Sequence, residues 1–598
     1  MKKRKIPIDY TDRDFNSIKE SLVNHAKRYY PDTFRDFNEA SFGSLFLDSV
    51  AYIGDIMSFY LDYQANESFL ETAQEKQNVI SHARTIGYNY SDSITAYGIC
   101  EFFVLVPVGP YGNAPDLRYA PVLKEGSVFS SKQGGIYTLI EDVDFSQSSN
   151  LTIVANVNSD TGAPEKFAIR AHGQVKSGEV QELFVDIGEF ERFPKVVING
   201  TNISEVLSVE DSDGHKFYEV SNLSQDVIYV PVSNRGADSK TVPNLIKPLS
   251  VPRRFTVNFS DGFAEIQFGQ GSDLEILTGS YMDPSGVVMQ QYGKPHISDT
   301  YLDPTNFTST DKMGVAPSNT TLSIKVRKDS VENTNASAKT IVNVVERNFE
   351  FKDEHKLNTT KVADVIASLE VSNNNPILGD LTTPDHDEIR IRSKNIFSAQ
   401  NRAVTKQDYV SMVYSMPTKF GAIKRCRAIV DMDSFKRNIN LYVISENVNG
   451  QLVKTNHTLK NNLKKWINLY KMMGDTFDIL DARIVNLALE YSIIVHSEFN
   501  KMDALADCRE ALTNMFSTKA DIGEPLFIND IYNELNNLES VVDVADVVVK
   551  NRSGENYSDL NYSIDLNLST DGRVLMLPDD YIYEFKYPDV DFKGKVIS

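Results

Sequence analysis

The chain predicts a multidomain α+β protein: an N-terminal helical bundle segment, a central all-β region, and a C-terminal α+β domain with an extended tail. Three observations carry this. Up to about residue 95, apolar side chains recur at three- and four-residue steps. From Tyr97 onward, short β-branched and aromatic runs alternate with turn signals. Beyond Ala422, strand-like and helix-like stretches take turns. A chain of 598 residues is too long for one core. The boundaries fall at 1–95 (helical segment), 96–345 (β-rich, two sandwich-type subdomains), 346–400 (connecting segment), 401–550 (α+β domain) and 551–598 (tail).

A first helix opens at Thr11-Asp-Arg-Asp14, with Phe15, Ile18, Leu22, Ala26 and Tyr29 on one stripe, and Pro31 ends it. The second helix is the most informative element. Leu45/Phe46, Val50, Ile53, Met57, Tyr60/Leu61 and Gln64 share one face. Asp48, Asp55 and Asp62 lie opposite, seven apart, with Tyr52 and Phe59 beside them. A helix serving one core has no use for two large aromatics on its charged side. Asp48, Tyr52, Asp55, Phe59 and Asp62 are therefore candidate interaction residues, the aspartates forming a salt-bridging face toward a partner helix. A third helix is expected to open with a Thr72–Glu75 capping box and to stop at Gly87.

In the β-rich region, CEFFVLVPV, VVING, HKFYEV, DVIYVPV, RRFTVNF, AEIQFGQG and TLSIKVRK read as strands. Asn199-Gly200, Asp213-Gly214 and Asp261-Gly262 read as hairpin turns, and residues 231–251 as an irregular loop. The connecting segment holds one helix near Lys361–Val371. Thr405-x-x-Asp408 opens a helix that buries Tyr409, Met412 and Val413. AIKRCRAIV, INLYVIS, ALEYSIIVHSEF and VVDVADVVV alternate with helices at Thr458–Tyr470, Met502–Phe516 and Ile528–Leu538. This order suits a sheet with helices on one face. The tail from Asn551 reads as extended strand and loop laid on a neighbour.

Composition excludes several functions. The net charge of −21 opposes nucleic acid as a main partner and favours partners with basic surfaces. No run of about eighteen apolar residues occurs, so no membrane span is expected. The basic start MKKRKIPIDYTD lacks an apolar stretch behind it and is not a secretory signal. Cys100, Cys426 and Cys508 are too scattered for a disulfide framework or zinc site, and a reducing cytoplasm fits.

No catalytic, cofactor or metal constellation emerges. Asp385-His386-Asp387-Glu388 is contiguous, so its side chains diverge; it reads as a solvated turn before an Arg390 strand. FGQG lacks a strand–turn–helix context and reads as a tight β-turn. The aspartate row is too widely spaced for a paired acid and base. Lys460, Lys464 and Lys465 give the Trp466 helix a small basic face, read first as a solvated face and second as a dock for an acidic neighbour; Trp466 is a further candidate interaction residue.

The run LFLDSVAYIGDIMSFYLDYQANESFLETAQEKQNVISHARTIGY resembles the N-terminal segment of the baseplate J-like family, and more closely the baseplate wedge proteins of T-even-like contractile phages. FTVNFSDGFAEIQFGQGSD, TLSIKVRKDSVENTNASAKTI, DHDEIRIRSKNIFSAQNRAVTKQDYVSMV and LPDDYIYEFKYPDVDFKGKV resemble other segments of that family. Residues 100–250 carry no resemblance. Arg402 and Tyr409, within the third of these segments, are placed by it where the last domain begins, as anchors. The resemblance implies a structural subunit of a contractile tail's inner baseplate ring, located in the virion and assembled in the host cytoplasm, with no enzymatic task and no cofactor. It implies partners as well: a second copy within each wedge, six wedges closing around the tail tube, other wedge proteins joined through the N-terminal helices, and hub or sheath-initiating proteins. Host contact would change wedge geometry and trigger sheath contraction. Three alternatives stay open: a carbohydrate-active tail protein, a receptor-binding module, and the matching part of a bacterial injection apparatus.

Overall fold

The structure, a computed structural model, describes residues 14–29, 41–90, 94–110, 114–157, 163–200, 202–234, 244–260, 262–272, 313–329, 331, 333–381, 384–431, 438–554 and 556–597. N-terminal helices precede mostly β-rich regions, with further helices later, so the fold is mixed α+β. The chain divides into two compact units, Met1–Tyr90 with Pro384–Phe397, and Ser91–Thr383 with Ser398–Ser598.

The smaller unit is helical. It contains α1 (Phe15–Tyr29), α2 (Phe42–Glu67), α3 (Lys76–Ile86) and α4 (His386–Ala399) up to Phe397. The expected Thr11 start and Pro31 stop of α1 lie outside the described residues. Ser41 caps α2 by accepting the Ser44 amide at 3.1 Å. Gly87, at φ 106°, ends α3 in the left-handed conformation. Two expectations are corrected. The Thr72–Glu75 capping box does not form: Thr72 donates to the Asn66 carbonyl and Glu75 accepts from the Tyr63 hydroxyl. Asp385–Glu388 does not precede a strand; it opens α4, where acidic side chains meet the positive end of the helix dipole.

The larger unit begins with two seven-stranded sheets. The first runs Ile341–Glu346, Val128–Ser131, Ile136–Leu139, Pro164–Ser177, Tyr97–Pro107, Glu370–Ser372, with Leu151–Val157 added beside Pro164–Ser177. Its core holds Phe102, Phe129, Phe145 and Ile169, and Val362 and Val365 of helix Thr359–Ala367 close it. The second runs Glu179–Ile187, Thr320–Lys328, Ile203–Asp211, Lys216–Glu219, Arg254–Ser260, Phe263–Phe268, Lys195–Asn199, with Val209, Phe217, Phe255, Phe268 and Ile324 inside. Gly214 and Gly262 turn hairpins at φ 82° and 84°, as their dipeptides predict. Asn199-Gly200 does not make a hairpin, because the strands on either side of it pair with other strands. Residues 231–251 are not simply a loop: Val227–Ser233 and Asn244–Ser250 form a regular antiparallel ribbon. FGQG is a close-approach device, since a Cβ on Gly269 would sit 2.1 Å from the Gly314 carbonyl oxygen.

Among the described residues the C-terminal part holds two four-stranded sheets and a short two-stranded one, rather than a single sheet. In the first, Asn438–Glu446 pairs with Arg425–Val430, Leu452–Val453 and Thr476–Asp481, under helices Lys406–Tyr414 and His457–Ile467. The Thr405–Asp408 capping box is formed. In the second, Arg483–Val495 is central, and helices Lys501–Met515 and Ile528–Asn536 cover its apolar face. The tail is built into the chain's own sheet. Tyr581–Glu584 and Phe592–Val596 pair parallel with Arg483–Val495, and Phe585 and Phe592 enter its core. Their alternating aromatics find cover within the chain.

A buried ionic cluster links the first two sheets. Glu205 contacts Lys176 at 2.6 Å and Arg327 at 3.1 Å, all three side chains being nearly enclosed. Burial raises the Glu205 carboxyl, but the two cations more than offset that and hold it below its ordinary value. Glu205→Ala leaves two enclosed cations without their anion. A loss of about 3–5 kcal/mol is expected in urea unfolding.

Candidate functional site

The site is built on α2. Its Asp48/Asp55/Asp62 side faces α1, because Ser44, Ala51 and Ser58 on that side are small enough for two backbones to approach. Lys19 of α1 pairs with Asp48 at 2.8 Å, and Ile18 of α1 lies close to Gly54. The partner helix expected for the carboxylate row is therefore, at Asp48, a helix of the same chain. The apolar stripe points the other way and lies open. Leu45, Phe46, Met57, Tyr60 and Leu61 are each 60–64 % exposed, Ile53 56 %, Tyr52 59 % and Phe59 53 %. Phe59 stacks on Tyr63 with ring centroids 6.4 Å apart, so Tyr52 and Phe59 extend the open face rather than serve a second one. These eight residues expose on the order of 800 Å², beyond the few hundred of a typical soluble surface patch.

The far end of α2 is held rigidly. Glu67, 5 % exposed, accepts from the amides of Gln74 (2.7 Å) and Glu75 (3.3 Å) and from the Asn78 side chain (2.9 Å). It thereby closes the N-terminus of α3 in place of the expected cap. Burial pushes its carboxyl up, but the donors Asn78, Gln74 and Glu75 more than offset this and hold it below the ordinary glutamate range. Arg390 of α4 donates to the Leu70 carbonyl at 2.8 Å and to the Ala73 carbonyl. Lys394 reaches Glu71 at 2.8 Å. Ile389 and Ile396 pack on Ala73, Val79, Ile80, Ala83, Tyr88 and Tyr90.

The other sequence-predicted residues sit in the C-terminal part. Arg402 is exposed and donates to the Gln400 side chain at 3.3 Å. Tyr409 is fully buried; its hydroxyl donates to Asp475 at 3.1 Å, and burial with that carboxylate raises its pKa. Trp466 is half-buried, donates to the Met412 carbonyl at 2.8 Å and lies edge-on to Tyr470. Tyr409 and Trp466 share one core. Lys460 of the basic face pairs with Asp481 at 2.7 Å. Sequence reasoning missed Glu67 and Arg390. A helix-terminal glutamate resembles any other, and Arg390 meets Leu70 across 320 positions.

Little in the described residues suggests chemistry. Asp211, Asp213 and His215 come together, but Asp211 accepts the Asp213 and His215 amides and so shapes an exposed turn. The three thiols are buried, and burial pushes Cys508 up to about 11. No helix among the described residues is long and apolar enough to cross a membrane.

A long helix with an open apolar face on a braced base is the geometry of an assembly surface. Residues 14–85 match the family model described as bacteriophage baseplate protein, N-terminal domain, which supports a structural role in a baseplate. Similar solved structures include a chain of the anti-feeding prophage baseplate, at 8 % identity over 96 % of this chain and 90 % of that one, TM-score 0.26. Another is a chain of the type VI secretion TssK-TssF-TssG baseplate subcomplex, at 8 % identity over 73 % and 96 %, TM-score 0.26. At those scores neither likeness carries weight. No curated protein matches the chain.

Glu67→Gln is expected to cost about 1–2 kcal/mol of stability at pH 7. Because the folded carboxyl titrates below its unfolded value, wild type holds this advantage at neutral pH and loses it as pH falls below about 4. Urea unfolding of both proteins between pH 3 and 7 measures the converging difference.

Proposed function

We propose that the chain is a baseplate wedge subunit of a contractile tail, of the baseplate J-like kind and close to gene product six of T-even-like phages. In this reading α2 lays its open face into a helical bundle with other wedge proteins. Two copies associate in each wedge, and six wedges form the inner ring around the tail tube. The chain acts mechanically, passing a rearrangement at the host surface to the sheath through packed interfaces. Its place is the tail baseplate of a virion, assembled in the host cytoplasm, with hub or sheath-initiating proteins as further neighbours.

The observation that carries this reading is the exposed Leu45–Leu61 stripe inside the segment that matches the baseplate family model. An area on the order of 800 Å² is about what one partner brings to a standard protein interface. Candidate contact residues are Tyr52 and Phe59 at the stripe's edge, with exposed Arg402 and half-buried Trp466 further along the chain; Asp48, Asp55 and Asp62 lie on the opposite side toward α1, and Tyr409 acts from the core as an anchor of the last domain.

The double substitution Ile53→Asp/Tyr60→Asp tests it. The isolated variant should unfold within about 0.5 kcal/mol of wild type, because both side chains are already in water. Co-expressed with the other baseplate proteins of its own particle, it should fail to enter assembled wedges. Normal incorporation, seen by gel filtration and electron microscopy, would overturn the reading.

A further inference from the structure

Inside the larger unit, the strand-rich part meets the C-terminal part at several places, among them the Tyr97–Lys419 and Asn456–Tyr97 hydrogen bonds, and one of these meetings is an enclosed polar joint. Asp380 is 8 % exposed and sits at its centre. One of its carboxylate oxygens accepts from the Thr334 amide (2.7 Å) and from the Thr334 hydroxyl (3.0 Å). Its backbone is clasped by Asn335, whose side-chain oxygen accepts the Asp380 amide (3.0 Å) and whose side-chain nitrogen donates to the Asp380 carbonyl (2.9 Å). The same Asn335 nitrogen donates across to the Glu446 carbonyl (3.2 Å). Asn333 reaches the Val448 carbonyl (3.2 Å), and the Ala422 amide donates to the Gly379 carbonyl (2.9 Å). Several cross-ties to the C-terminal part thus pass within a residue or two of this one carboxyl group.

The ionisable surroundings come from every side. Asp329, 3 % exposed, adds a second carboxyl from the end of strand Thr320–Lys328. Tyr137 donates to the Thr334 carbonyl at 2.8 Å, with Cys100 near it. From the C-terminal part come Glu446 and Lys424, paired with each other at 2.6 Å. The donors that meet the Asp380 carboxyl from Thr334 are neutral, so they do not cancel a buried negative charge as a cation would.

We propose that this joint is a proton-operated latch, in which protonated Asp380 holds the strand-rich and C-terminal parts together and release of that proton loosens the Thr334–Asn335–Glu446 tie. Burial, with the Asp329 charge beside it, pushes the Asp380 carboxyl up to about 7. The sign follows. Once the joint opens, Asp380 returns to an ordinary value near about 4, so between about pH 4 and 7 the closed joint holds a proton the open one lacks. Closure is therefore favoured as pH falls through that window, and the advantage disappears as pH rises through about 7. An assembly subunit with such a joint would be stiffer in mildly acidic than in mildly alkaline surroundings.

Hydrogen exchange on the full chain tests the latch. Protection factors, corrected for intrinsic rates, are compared at pH 5.5 and 8.5 for the amides of Thr334, Asp380 and Ala422. Wild type should be roughly thirty-fold more protected at the lower pH. Asp380→Asn, isosteric and always neutral, should be equally protected at both. Asp329→Asn should move the wild-type transition to lower pH, because it removes the neighbouring charge. Wild-type protection that changes less than about twofold overturns the latch. So does an Asp380→Asn profile that still follows pH. Should Asp380→Asn fail to fold, the wild-type profile and the Asp329→Asn shift decide between the outcomes, an unshifted transition counting against it.

Discussion

The bend between α2 and α3 is where the N-terminal unit is made or lost. Residues 68–75 connect two helices and leave amides and carbonyls that neither helix satisfies. Two charges meet them. Glu67 collects the amides at the start of α3, and the Arg390 guanidinium takes the Leu70 and Ala73 carbonyls. Charge-assisted bonds are stronger than neutral ones and fix direction as well as distance. Arg390 is partnered with Asp387 on its own helix, so it reaches the bend already oriented.

Bracing the bend sets what the rest of α2 can do. A two-helix pair in water would bury its apolar stripe if it could. Here α1 takes the opposite side, where Ala51 and Ser58 permit close contact, and the stripe stays bare. At about 25 cal/mol per Å², an open face on the order of 800 Å² corresponds to about 20 kcal/mol of gross burial, before the costs of association. That exceeds the net stability of a typical domain. Under the proposed function, another polypeptide covers it.

The helices and most strands were legible because their signals are local. Gly87, the Thr405–Asp408 box, the alternation of Leu322, Ile324 and Val326, and the Asp213-Gly214 turn each need only a few neighbouring residues. Apart from the Thr72–Glu75 box, which loses to nearby partners, what failed depends on distant pairing. The Asp385–Glu388 run looks like a turn until α4 is seen docking its Ile389 side on α3. Strands of the tail look unpaired until Arg483–Val495 accepts them in parallel, a register no periodicity encodes. The stripe of α2 was readable as a face, and so was the carboxylate row opposite it. Which of the two the chain's own α1 would cover depended on the small residues between the aspartates.

The discontinuous make-up of the N-terminal unit also bears on its biogenesis. Ile389, Ile396 and Arg390 are synthesised some three hundred residues after the helices they clamp. At roughly 5–20 residues per second, the ribosome needs on the order of 15–60 s to deliver them. During that interval the nascent chain carries α3 uncovered as well as the stripe of α2. Chaperone demand should therefore peak before translation passes residue 400, and ease once α4 emerges.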